Sequence, residues 1–155
     1  VGGQFYVLGG DQSELAFQPL AQIDGADDRA WAQEWVQDIV AAEGVPITPP
    51  VKDEIWSGLR NLAEGPGEQR TLTLLAATIQ DQAVKSALTP YTLSGPYGHL
   101  LDANQNALKP AAWQTFEMAE LMASKSALAP VLTYIFRSLE RRFDGRPTLL
   151  VLDEA

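Results

Sequence analysis

The fold is decided by one stretch near the C-terminus, residues 126–155, SALAPVLTYIFRSLERRFDGRPTLLVLDEA. Its first part repeats apolar residues at three- and four-residue spacing, which predicts an amphipathic helix from about Ser126 to Phe143. The residues DGRP at 144–147 predict a turn. The continuous apolar run TLLVL, residues 148–152, is typical of a strand that is buried on both faces of a parallel sheet.

A second strand is predicted just upstream of this helix. The segment WQTFEM, residues 113–118, has the aromatic and β-branched composition of a strand. Together with the helix and residues 148–152 it predicts one β–α–β unit, whose crossover should be right-handed. The fold class that follows is α/β.

The rest of the chain divides into a short β start and a helical middle. Residues 4–8 predict a strand and residues 15–20 a second extended piece. Helices are predicted at 27–43, from Thr48 to about 64, and in two short pieces at 73–80 and 81–89, whereas the Gly- and Pro-rich residues 91–111 predict a loop. We therefore expect three parts: residues 1–26 as the β start, 27–90 as a helical insertion subdomain, and 91–155 as a loop plus the β–α–β unit.

Composition excludes several classes of site. The 155 residues include no cysteine and only one histidine, His99. A disulfide scaffold and a thiolate metal site are therefore excluded, and a His-rich metal centre or a Ser-His-Asp triad is improbable. The net charge is −9, and residues 1–70 hold 12 acidic and 4 basic residues. An acidic chain does not favour non-specific binding to nucleic acid or anionic lipid, although a local basic site in the C-terminal half stays open.

Neither a membrane span nor a signal peptide is predicted. The longest apolar candidate, residues 126–136, is much shorter than the roughly 20 residues that a spanning helix needs. The chain starts at Val1 without methionine and stops at Ala155 directly after an apolar run. We expect both ends to be cuts inside a longer protein.

The motif with the clearest chemistry is LLVLDEA, residues 149–155. In P-loop NTPases, four apolar strand residues followed by Asp and Glu form the Walker B motif. There the Asp holds Mg²⁺ and the Glu orients and deprotonates the attacking water, which gives these roles to Asp153 and Glu154. The alternative is a buried strand that ends in two solvated acids. The partner motif G-x-x-x-x-G-K-[ST] does not occur in the sequence.

A cluster of four arginines lies at the end of the predicted C-terminal helix. These residues are Arg137, Arg141, Arg142 and Arg146. The favoured interpretation is pairing with the negative end of a helix and exposure on a solvated face. A subunit interface or a nucleic-acid contact is the alternative.

Several other patterns predict structure rather than chemistry. Asp102, Asn104 and Asn106 have the spacing that opens a calcium loop, but Ala107 and Trp113 stand where Gly and Glu are needed, so turn chemistry is expected. We interpret His99 as structural. The remaining pairs are assigned to helix starts or solvated charge (Asp27-Asp28, Asp53-Glu54) and to a core or docking position (Trp31 and Trp35).

These residues resemble a known family, the conjugal transfer ATPases of type IV secretion systems in the TrbE/CagE branch. The resembling stretches are GGQFYVLGGD with LAFQPL, DDRAWAQEWV, LTPYTLSGPYGHLLDA, WQTFEMAELM and, above all, APVLTYIFRSLERRFDGRPTLLVLDEA. They cover nearly the whole chain. The last is the most specific because it joins helix, turn and Walker B in one run.

The resemblance implies part of a RecA-like motor domain of the HerA/FtsK kind with a helical insertion. Proteins of this family are similar to one another in being cytoplasmic ATPases, peripheral at the bacterial inner membrane, that use ATP and Mg²⁺ to power pilus assembly or substrate transfer. It further implies a hexamer and contacts with other secretion components. Asp153 matches the acid that holds Mg²⁺, and Glu154 matches the catalytic glutamate. A rival hypothesis is that the acidic helical block is a non-catalytic docking module for other secretion components.

Overall fold

A computed structural model describes residues 2–9 and 15–153. These residues form two strands and seven α-helices. The strands are β1 (Gly3–Val7) and β2 (Trp113–Glu117), and the helices are α1 (Ala26–Ala42), α2 (Pro49–Ala63), α3 (Leu72–Thr78), α4 (Gln82–Leu88), α5 (Gly98–Leu101), α6 (Ala119–Ala123) and α7 (Lys125–Glu140). The result is a mainly helical α/β structure, in agreement with the predicted fold class.

The two strands lie side by side in a parallel sheet. Gly3 is opposite Trp113 and Val7 is opposite Glu117. Tyr6 and Phe116 face each other across the pair, and their rings stack with centroids 5.3 Å apart. Both predicted strands are confirmed. The pairing brings the two ends of the sequence together around the helices that separate them.

Residues 15–20 form the predicted second extended piece without joining the sheet. The amide of Phe17 donates to the carbonyl of Leu100 over 2.7 Å, and the carbonyl of Phe17 accepts from Ala103 over 3.1 Å. The carbonyl of Ala16 accepts from Ala107 over 2.9 Å. This segment therefore fastens the region around α5 to the start of the chain.

The long helices α1 and α2 begin and end close to the predicted positions. Gly44 directly follows the C-cap of α1 with φ +84°, and its amide donates to the carbonyl of Ala41 over 2.9 Å. A left-handed residue of this kind suits glycine, which has no Cβ to clash. Pro49 lies in the first turn of α2, where a missing N–H costs nothing.

The two short helices α3 and α4 are set by side-chain caps. The hydroxyl of Thr71 accepts from the amide of Leu74 at the start of α3, and Asp81 accepts from Ala83 and Val84 at the start of α4. Both helices agree with the prediction. The short helices α5 and α6 do not, since α5 lies inside the predicted loop 91–111 and α6 follows β2 directly.

One continuous apolar core joins the helical middle to the C-terminal helix. Trp35 of α1 and Val131 and Ile135 of α7 are buried in it, together with Ile55 and Leu59 of α2. No strand occurs between residues 27 and 90, all of which the structure describes. The helical character of this stretch is confirmed, and its separation as an insertion subdomain stays a prediction.

The strand expected at residues 148–152 is not formed, which corrects the predicted β–α–β unit. These residues have no regular secondary structure, and Leu149 and Val151 are 80% and 73% exposed. A parallel strand needs a neighbouring strand for its hydrogen bonds and helices on both faces for its side chains. The described residues offer β1 and β2 alone, and neither pairs with this run.

Within the described part of the chain, no helix has the length and apolar character needed to cross a membrane.

Candidate functional site

The nucleotide motif predicted from the sequence lies at the exposed end of the structure. Asp153 is exposed and follows the irregular residues 148–152, while Glu154 lies outside the described residues. Upstream, Gly145 turns the chain with φ +86°. An ion pair of 2.7 Å between Arg146 and Asp144 closes the same turn, and the hydrogen bond from Arg146 lowers the pKa of Asp144.

The described residues supply one ligand of the expected Mg²⁺ site rather than a complete one. No cluster of three or more acidic or histidine side chains able to hold a metal occurs among them. Mg²⁺ in phosphate-binding sites takes one or two carboxylates and completes its shell with phosphate oxygens and water. The exposed carboxylate of Asp153 therefore fits a site that is shared with other parts of a protein.

The arginine cluster makes contacts inside the chain. Arg137 and Arg141, at the end of α7, both bind the same oxygen of Asp28 in the first turn of α1, with Arg137 at 3.2 Å. The guanidinium of Arg137 also lies 5.9 Å above the ring of Trp31. Arg141 further binds the side chain and the carbonyl of Gln22, the latter at 3.2 Å.

The third arginine of this turn reaches the opposite side. Arg142 donates to Oε1 of Gln114 in β2 over 3.1 Å and approaches the carbonyl of Leu108 at 3.5 Å. Arg146 remains on the surface, paired with Asp144. Three of the four guanidiniums are therefore engaged in holding α7 against its neighbours, which agrees with a structural interpretation of the cluster.

An apolar groove of about 470 Å³ opens between α1 and α7. Trp31 forms one wall, Phe136 and Phe143 form the other, and Leu150 of the irregular C-terminal run closes one side. Phe143 is itself largely exposed. The groove thus lies directly beside the run that leads to Asp153.

The rejected calcium loop has other roles. Asp102 is buried and accepts hydrogen bonds from the amide and hydroxyl of Thr73 and from the amide of Leu93, so its carboxylate is fully used within the fold. The side chain of Asn106 accepts from the amide of Leu108 over 3.3 Å and donates to the hydroxyl of Tyr134 over 2.6 Å. The prediction of turn chemistry is confirmed for Asn106, whereas Asp102 acts at long range.

The remaining candidates are structural. Glu54 accepts from the amides of Gln80 and Asp81 and so holds the connection between α3 and α4, while neighbouring Asp53 is exposed. His99 is exposed on α5. Trp35 is buried in the core as predicted, stacked on Trp31 with centroids 5.9 Å apart.

Sequence reasoning misses two contributors to these contacts, Asp28 and Gln22. The sequence pattern assigns Asp28 to the start of a helix, which is correct but incomplete, and it gives no signal for Gln22. Their arginine partners lie 109 to 119 residues away, so no local pattern could have connected them.

Comparison with curated proteins identifies the kind of protein to which this chain is related. It is 43% identical over 99% of its length to a probable conjugal transfer protein TrbE of Sinorhizobium fredii, of which the match covers 24%. It is 41% identical over its full length to the conjugal transfer protein TrbE of Rhizobium radiobacter, of which the match covers 20%. A more distant match, 22% identical over 99% of the chain, is the type IV secretion system protein virB4 of Bartonella henselae, with 20% of that protein covered.

The chain is thus a homologue of one segment of the conjugal transfer proteins. In particular it corresponds to a segment of TrbE, so the predicted resemblance is confirmed. It spans about a quarter to a fifth of the length of these relatives. No family model matches the chain.

Proposed function

We propose that this chain is a segment of an ATP-hydrolysing motor that serves conjugal transfer or type IV secretion. The observation that carries the proposal is the 43% identity to a TrbE conjugal transfer protein across 99% of the chain. The sequence LLVLDEA, residues 149–155, adds the acid pair that an NTP-hydrolysing site needs. The distant match to virB4 points to the same class of secretion component.

Two residues would carry the chemistry. Asp153 would contribute one carboxylate to Mg²⁺, which neutralises charge on the phosphates when it is bound. Glu154 would orient the attacking water and accept its proton. Both follow directly on the apolar run 148–152, and we infer that this run becomes a buried strand when further strands flank it in the longer protein.

The motor domain would be RecA-like, of the HerA/FtsK kind, with residues 27–90 as a helical insertion. By analogy with its relatives it would assemble as a hexamer, cytoplasmic and peripheral at the bacterial inner membrane, beside other secretion components. Nucleic acid is not implied by the acidic surface, since residues 1–70 hold 12 acidic and 4 basic residues.

The isolated chain should have no ATPase activity. Phosphoryl transfer depends mainly on positioning the phosphates, and the sequence holds no G-x-x-x-x-G-K-[ST] to do so. In the longer protein this cradle would come from another segment. Turnover by the isolated chain that Glu154→Gln abolishes would contradict this division of the site.

The decisive experiment uses the full-length protein that carries this segment. Glu154→Gln should lower ATP turnover by about 10²-fold or more, because the amide keeps the shape of the side chain but cannot accept the proton. ATP affinity should change by less than about threefold. Glu34→Gln, an exposed change on α1, is the control and should leave turnover unaltered. Near wild-type turnover in Glu154→Gln would refute the role of Glu154.

The docking hypothesis has one observation in its favour. Asp27, Glu34 and Asp38 are exposed and lie on one side of α1, at positions seven and four residues apart. Such an acidic stripe suits a basic partner surface. The double change Glu34→Lys with Asp38→Lys separates the two hypotheses, because a docking role predicts lost transfer with ATP turnover intact, and a purely catalytic role predicts that transfer persists.

A further inference from the structure

The last turn of α7 is held by a single carboxylate from the opposite end of the chain. Oδ1 of Asp28 accepts from Arg137 over 3.2 Å and also from Arg141. The side chains of Asp28, Arg137 and Arg141 are 31%, 22% and 29% exposed. This partial shielding from water makes the contacts stronger than ordinary surface ion pairs.

Other contacts orient the same turn. Trp31, one helical turn after Asp28, lies beneath the guanidinium of Arg137 at 5.9 Å. On the other side Arg142 donates to Gln114 of β2 over 3.1 Å. The end of α7 is therefore clamped between the first turn of the helical block and the sheet.

The chain leaves this clamp to form the run that ends in Asp153. Beyond Arg142, the ion pair between Arg146 and Asp144 acts within the turn itself. Leu150 reaches back to the groove formed with Trp31 and Phe143. The place and direction in which the run starts are thus determined by the clamped turn, which stands about ten residues before Asp153.

We propose that Asp28 is a positioning residue for the acid pair Asp153–Glu154. By compensating two guanidiniums at once, it holds the exit of α7 in place and couples the helical block 27–90 to the run that carries the acids. This inference rests on the proposed ATPase function. Without the carboxylate, Arg137 and Arg141 would face each other as uncompensated like charges, and the last turn of α7 would loosen.

The test is made in the full-length protein with Asp28→Asn, which removes the charge and keeps the size. Asp27→Asn is the matched control, because Asp27 lies in the same first turn of α1 but makes no ion pair among the described residues. We expect Asp28→Asn to lower kcat for ATP about tenfold with KM changed less than twofold, since a small misplacement of catalytic groups affects the chemical step. Amides of residues 141–152 should exchange their hydrogens about tenfold faster. Asp28→Glu should recover most of kcat.

The readouts keep this inference distinct from the proposed function. Equal kcat for Asp28→Asn and Asp27→Asn, or unaltered exchange in residues 141–152, overturns the positioning role. Absence of ATP turnover in the wild-type protein refutes the proposed function instead, and hydrogen exchange then decides by itself whether Asp28 controls the run. If Asp28→Asn fails to fold, Arg141→Gln removes the same contact from the other side and is held to the same two outcomes.

Discussion

The indole Nε1 of Trp35 donates a hydrogen bond to the carbonyl of Pro130 over 3.0 Å, in the buried contact between α1 and α7. Pro130 lies inside α7, where it has no N–H for the carbonyl of Ser126 one turn before. The hydroxyl of Tyr91 lies 3.3 Å from that carbonyl and 2.8 Å from the carboxylate of Glu43. Side chains from the helical block thus cover the backbone on both sides of the proline, so α7 and the block are stabilised together.

The Trp35 contact should be visible in stability. Trp35→Phe removes the donor and some buried area, and we expect a loss of about 2 kcal/mol in the free energy of unfolding. Trp31→Phe is the matched control, because Trp31 is only partly buried and should cost less than about 1 kcal/mol. Urea unfolding of both variants measures the difference, and equal losses would show that the Pro130 contact contributes nothing.

Tyr91 should make stability sensitive to high pH. Burial, first, and the hydrogen bond to Glu43 raise the pKa of Tyr91 above its ordinary value of about 10. Above pH 10 the unfolded chain loses the phenolic proton while the folded chain keeps it, so stability is full below about pH 10 and falls as pH rises, by up to about 1.4 kcal/mol per pH unit.

Tyr91→Phe removes this contribution. Its free energy of unfolding should be lower than that of the wild type at pH 8 but should fall less steeply between pH 9.5 and 11, a range chosen to span roughly the ordinary pKa of tyrosine. Tyr97→Phe, in the ring that packs on Tyr91 at 5.3 Å, is the control and should keep the wild-type slope. Identical slopes for the wild type and Tyr91→Phe would contradict the assignment.

Gly98 has no room for a side chain. A Cβ at this position would lie 2.0 Å from the carbonyl oxygen and 2.5 Å from the carbonyl carbon of Thr92. Backbone atoms cannot rotate away as a side chain can, so Gly98→Ala should cost about 2–4 kcal/mol. Gly67→Ala, with nothing within 4 Å of its Cβ, should cost less than about 1 kcal/mol. Thermal unfolding of the two variants compares them, and a Gly98→Ala protein as stable as Gly67→Ala would contradict the close approach.

Val151 distinguishes the isolated chain from the longer protein. In this structure it is 73% exposed, so Val151→Asp should change the stability of the isolated chain by less than about 0.5 kcal/mol. If the run 148–152 is a buried strand in the longer protein, the same change there buries an unpaired charge and should cost several kcal/mol. Melting temperatures of both proteins test this, and an unaffected full-length variant would refute the buried strand.

The elements that the sequence predicts well are those set by local pattern. The apolar spacing in α1, α2 and α7 marks long amphipathic helices whatever they pack against, and β1 and β2 have strand composition. The short helices α5 and α6 escape prediction because four or five residues carry too little pattern. In α5 the carbonyl of Leu100 is held by Phe17, a contact that no nearby residue announces.

The functional hypothesis also comes from the sequence alone, because an apolar run followed by Asp153 and Glu154 is a motif in one dimension, and the relatives confirm the predicted family. The run 148–152 has the composition of a buried strand, yet a strand exists only beside a hydrogen-bonding neighbour, which the described residues do not supply. The contact of Asp28 with Arg137 and Arg141 joins residues 109 and 113 positions apart. Only the tertiary structure decides such contacts, since packing of α1 against α7 is what brings their charges within bonding distance.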